Sequence, residues 1–141
     1  MVAKQREGTP VYDIDVVCGT EGRDLAFTNE RIVGYVNLPG INHASHIIEA
    51  SGDSMSPRIN SGDRIVVREI ETWDYFVYGQ AYVVVTSDYR LLKYIRKHPE
   101  RPKEMVVLRS ENSHYDDIEL PIAAIRKLFV VENVLSVKNV L

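Results

Sequence analysis

The stretch "ASGDSMSPRINSGDRIVV", residues 50–67, sets Ser54 in a run of small and polar residues between two apolar segments. A lysine, Lys93, follows 39 positions later inside "YRLLKYIRK". A serine hydroxyl attacks poorly unaided and needs an adjacent base, and lysine can be that base when its amine is neutral. Alternation with a period of two places Leu91, Lys93, Ile95 and Lys97 on one strand face, with Leu92, Tyr94 and Arg96 on the other. Aliphatic neighbours on both sides withhold water from an ammonium and favour the neutral amine. The same spacing also suits a lysine whose stem merely covers apolar surface at a strand edge. Ser54 is two-sided as well. Gly-Asp-Ser is an ordinary turn sequence, and "DSMSPRI" fits a capped helix start with Pro57 in the first turn.

The elements around these residues read as strands. "VYDIDVV" alternates, and "RIVGYVNL", "SHIIEA", "DRIVVREI" and "EMVVLRS" are short apolar runs bounded by turn residues. "GQAYVVVTSDYRLLKYIRK" predicts a hairpin turning at Ser87-Asp88, and "LFVVENVLSVKNVL" one or two further strands. "CGTEGRDLAFTNE" reads as a loop, residues 1–10 as a polar tail or linker, and "PIAAIRK" as one helical turn opened by Pro121. Eight or so short strands with few helices predict one mostly-β domain over residues 11–141. "ETWDYFVYG" reads as a packed aromatic connection, and "KYIRKHPERPK" as a solvated strand end.

The block Gly52-Asp53-Ser54-Met55, with Pro57, Gly62-Asp63 and then Lys93, resembles the LexA-like self-cleaving family: SOS and temperate-phage repressors and the UmuD proteins. "LRSENSHYDDIEL" is similar to that family's Glu-Asn-Ser segment. The resemblance implies a mostly-β fold of short, bent antiparallel sheets and a Ser–Lys dyad, with Ser54 the nucleophile and Lys93 the base. Backbone N–H groups of Ser54 and Met55 are the expected oxyanion donors. Members of the family cut their own chain at an Ala-Gly or Cys-Gly bond upstream of the serine. Here Cys18-Gly19 answers that description, Gly19 lying 35 residues before Ser54, so residues 11–30 become the cleavage-site segment. A glycine after a small residue lets backbone enter a tight cleft; a semi-buried cysteine before a turn would look the same.

Two roles fit the resemblance. One is the regulatory and dimerisation domain of a repressor-like transcriptional regulator, touching DNA only through a head that this sequence does not contain. The other is a UmuD-like protein serving a translesion polymerase, which the Cys-Gly bond and the "ASGDSM" block suit. A non-processing dimerisation module of the same fold is a third reading. The resemblance also implies a homodimer, as does an apolar C-terminal strand edge in "ENVLSVKNVL", and a RecA filament as activator. Signal peptidases share the serine block and spaced lysine, but no apolar run here reaches the ~20 residues that span a bilayer.

Bulk properties narrow the classes further. A net charge of −3 and an isoelectric point near 5.8 disfavour direct nucleic-acid binding, which needs a basic patch. One cysteine among 141 residues leaves no internal disulfide and suits the cytoplasm. No cofactor or metal is expected, because only His43 and His46 lie close in sequence. A Ser54–His114–Asp117 triad can be drawn, but no spacing rule supports it.

Overall fold

The computed structural model describes residues 8–16, 27–137 and 140. Nine strands run in chain order: β1 (Thr9–Val16), β2 (Ile32–Val36), β3 (His46–Ala50), β4 (Arg64–Ile70), β5 (Ala81–Val85), β6 (Arg90–Lys97), β7 (Met105–Arg109), β8 (Ile118–Pro121) and β9 (Lys127–Leu135). They form one sheet in the order β2-β1-β3-β4-β9-β5-β6-β7-β8. The β1–β3 pairing is parallel; the others are antiparallel. The expected mostly-β class is the observed one. Helical backbone among the described residues amounts to two three-residue 3-10 turns, Asn29–Arg31 and Ile122–Ala124.

Burial explains why β5 reads as a continuous apolar run and why β6 carries apolar residues on both of its faces. Val83, Val85 and Leu92 enter one core cluster with Ile48, Ile65, Val67 and Phe129. Their neighbours Tyr82, Val84, Leu91 and Ile95 enter a second, with Val106, Leu108, Ile125 and Leu128. Both faces of this hairpin are therefore core, and each fully buried aliphatic side chain contributes about 1.5–3 kcal/mol of transfer free energy. The expected turn at Ser87-Asp88 is present, closed by the Thr86 N–H to the Tyr89 carbonyl at 2.8 Å and the Tyr89 N–H to Thr86 Oγ1 at 3.0 Å.

Several expectations are corrected. Thr9 and Pro10, read with the polar tail, pair with Val36 and Tyr35 in the β1–β2 ladder; buried Thr9 also donates to the Asn42 carbonyl at 2.9 Å. Pro121 closes β8 with extended backbone, and the turn after it spans only Ile122–Ala124. Its helix does not continue because the Arg126 N–H bonds the Val85 carbonyl, drawing the chain into β9. β9 is one strand: its first part lies between β4 and β5, while the "ENVL" part keeps the open edge read from the sequence. Residues 128–130 are paired on both sides, Lys127 with β5 alone and the stretch 131–135 with β4 alone. The aromatic connection is split: Trp73 and Phe76 pack on the second core, while Tyr75, Val77 and Tyr78 are exposed.

Candidate active site

Ser54 sits in the connection between β3 and β4, whose base is tied by the Ala50 N–H to the Asp63 carbonyl and the Gly62 N–H to the Ala50 carbonyl, each at 2.8 Å. Gly52 takes a φ of +82° and Gly62 one of +94°, left-handed conformations that glycine adopts without steric cost. The expected helix start is instead a set of turns. The Ser56 N–H reaches the Asp53 carbonyl at 3.1 Å, and the Ile59 N–H closes one turn on the Met55 carbonyl at 2.9 Å. Pro57 has no N–H to extend the pattern, and Asp63 takes the next one, from Asn60, onto Oδ2 at 2.9 Å. Met55 and Ile59 point into the first core cluster and anchor the connection from below.

Lys93 lies in the middle of β6, paired with Tyr82 of β5, and is only 3% exposed. Its Nζ donates to Ser110 Oγ at 2.8 Å and lies 5.4 Å from the centroid of the Tyr115 ring. Ser110 is itself buried, 7% exposed.

Ser54 and Lys93, 39 positions apart in sequence, line the same small cavity together with Val16, Ala50, Ser51, Gly52, Met55, Ile59 and Leu92. Its volume is about 10 Å³, close to what a single water requires. Lys93 is the sole ionisable side chain in that lining. Val16 ends β1 at this wall, its carbonyl accepting the Ser51 N–H at 3.1 Å. Cys18 and Gly19 lie outside the described residues. The chain is described again from Phe27, which stacks on His46 with ring centroids 4.0 Å apart and the planes 6° from parallel.

One loop touches both halves of the site. After β7, the Asn112 N–H donates to the Ser54 carbonyl at 2.9 Å, and Asn112 Nδ2 donates to the Asp53 carbonyl at 3.2 Å. The Tyr115 hydroxyl donates to Asp53 Oδ1. Tyr94 donates to Glu111 Oε1 at 2.6 Å. Burial, reinforced by this carboxylate, pushes the Tyr94 hydroxyl up to about 12, so it stays protonated at any physiological pH. Ser110, Asn112 and Tyr115 received no role from sequence reasoning. The sole signal was the "LRSENSHYDDIEL" segment, which marks the loop without saying what it touches.

The rival triad does not assemble. Arg109 holds the Asp117 carboxylate through Nε at 3.1 Å and Nη2 at 2.8 Å, which keeps that carboxyl below its ordinary range. His114 is exposed, and its backbone N–H bonds Asn112 Oδ1 at 3.0 Å. The two neighbouring histidines are also engaged apart: His43 with Asn37 Oδ1 at 3.1 Å, His46 with the Tyr12 hydroxyl at 3.3 Å.

A buried lysine and a serine in one cleft of a mostly-β sheet have a counterpart among known families, since a model of the Peptidase S24-like family matches residues 10–131. The chain belongs to the Peptidase S24-like family. The match runs from β1 well into β9 and takes in Ser54, Lys93 and the 110–115 loop. This S24-like domain therefore has the fold of the LexA and UmuD proteins, a serine-peptidase fold. No curated protein matches the chain. No helix among the described residues is long and apolar enough to cross a membrane.

Proposed function

We propose that this S24-like domain cuts its own chain between Cys18 and Gly19 and is the regulatory and dimerisation domain of a LexA-like or phage-repressor-like regulator. The observation that carries the reading is the shared cavity: Ser54, Lys93 and Val16 line one cleft, and Cys18 is two residues beyond Val16. The enclosure of Lys93 disfavours the ammonium and favours the neutral amine that a base must be. Ser54 Oγ attacks the Cys18 carbonyl carbon while its proton passes to Lys93 Nζ. The oxyanion is met by the N–H groups of Ser54 and Met55. Collapse breaks the C–N bond, and the Gly19 nitrogen leaves with the proton from Lys93. Water then hydrolyses the Cys18 ester on Ser54. Because two linked heads bind a paired target far more tightly than separate ones, a cut that lets an upstream head part from the dimerising fold would weaken binding.

The test is the intact mass of the full chain held near pH 7 and near pH 10, beside Ser54→Ala and Lys93→Ala. A break between Cys18 and Gly19 should quicken with pH, and each variant should slow it by ~10³-fold or more. A chain that stays whole at every pH moves the reading to a non-processing dimerisation module. The Cys-Gly bond and the "ASGDSM" block equally suit a UmuD-like role. A trimmed form that binds a translesion polymerase would select that role over the repressor.

A further inference from the structure

The amine of Lys93 has a second buried hydroxyl beside it that the Ser–Lys scheme does not use. We propose that Ser110 is a positioning residue for Lys93, making the site a Ser–Lys–Ser relay; the inference rests on the self-cleavage reading and adds a residue to it. A neutral lysine amine carries two hydrogens and one lone pair, and free rotation about its last bond points that lone pair in any of three directions. The 2.8 Å bond from Nζ to Ser110 Oγ uses one hydrogen and so takes one of those three directions away from the lone pair. Both groups are buried, so water does not compete for the bond. With the amine pinned, its lone pair can be held toward the cavity that Ser54 lines. When Lys93 takes the Ser54 proton, the new ammonium keeps Ser110 Oγ as an acceptor, and a charge-assisted bond is stronger than a neutral one. Ser110 thus serves before and after proton transfer, while no covalent bond forms to it.

A further ionisable side chain, from the loop after β7, stands against this amine. Tyr115 lies beside it and is bonded to Asp53, and Glu111 is engaged by Tyr94. Ser110 follows the C-terminal end of β7, so the strand paired with β6 also delivers the hydroxyl.

The experiment is the rate of self-cleavage of the full chain as a function of pH for wild type, Ser110→Ala and Ser110→Thr. The Lys93 amine is titrated alongside by ¹⁵N NMR of lysine-labelled protein, its signal assigned by loss in Lys93→Arg. Ser110→Ala should lower the high-pH plateau ~10- to 100-fold. It should also move the midpoints of the rate profile and of the amine titration to lower pH, because the ammonium has lost an acceptor. Ser110→Thr, which keeps the hydroxyl, should restore both. A variant that merely loosened the fold would lower the plateau without moving the midpoints. An alanine variant with the wild-type plateau and midpoints, or a threonine variant no better than alanine, overturns the inference. A wild-type chain that never cleaves overturns self-cleavage instead, and the amine titration still decides whether Ser110 governs Lys93.

Discussion

Ser54 and Lys93 reach one cavity by opposite means. Lys93 is delivered by the interior of β6, where Leu91 and Ile95 sink into one core and Leu92 into the other; its position is set by packing. Ser54 is delivered by a turn-rich connection that Met55 and Ile59 anchor in the first core and that hydrogen bonds clamp on its other side, two of them from Asn112 and one from Tyr115 to its neighbour Asp53. Packing resists displacement because every neighbour must move with it. A hydrogen-bonded clamp can release with little else disturbed. In the proposed dyad Lys93 is therefore the fixed partner and Ser54 the adjustable one, and damage to each half should show up in a different measurement.

The largest effect should come from the packed half. Ile95→Ala removes a fully buried side chain and should cost about 2–5 kcal/mol, a fall in melting temperature of roughly 10 °C. Cleavage per folded molecule, assayed well below that melt, should change much less. A rate that collapses while stability holds would break the comparison. Next is Asn112→Ala, which deletes the amide bond to the Asp53 carbonyl and the acceptor for the His114 N–H. Stability should drop by only ~1 kcal/mol, whereas self-cleavage should slow about tenfold because the nucleophile's turn is loosened. An unchanged rate would show the backbone bond to be clamp enough.

The smallest effect concerns the aromatic group that fixes the other end of the segment containing Cys18. Burial lowers the basicity of His46, against an opposing pull from the charge of Glu69. With the folded value below the ordinary 6.5, the unfolded chain binds the proton more readily. Stability should then be fully present above about 6.5 and decline as the pH falls through and below it. Urea melts at pH 7.5 and pH 5, with His46→Phe as control, should show a decline that the variant lacks. An equal decline in both would place the titration elsewhere.

Much of this was legible in the sequence, and what was not has a physical reason. The aliphatic neighbours of Lys93 in "YRLLKYIRK" foresaw its enclosure, whereas the period-two pattern did not show that both faces of β6 are core. The turn at Ser87-Asp88 is local and was equally readable. The helix expected at "DSMSPRI" failed because capping signals and turn signals use the same residues; Asp63, ten residues after Asp53, claims the N–H of Asn60. The place of β9 inside the sheet was hidden because an apolar strand looks alike whether one or both of its edges are paired. Ser110 could not be singled out, since its bond to Lys93 crosses 17 positions and a serine after a strand is ordinary on local evidence. The Asn112 clamp, reaching back 59 positions to Asp53, was equally out of sight.

The place of β1 bears on what a cut would accomplish. β1 lies between β2 and β3, and Cys18 follows its last residue by two positions. After hydrolysis, everything upstream of Gly19 would still be stitched into the sheet through a whole strand. Severing the chain and parting the fragments are then separate events, the second requiring β1 to peel from both neighbours. Its loss would strip β2 of the strand it pairs with. The enzyme chemistry would act as a latch release, while the lifetime of the nicked but still assembled protein would set how quickly the signal is felt.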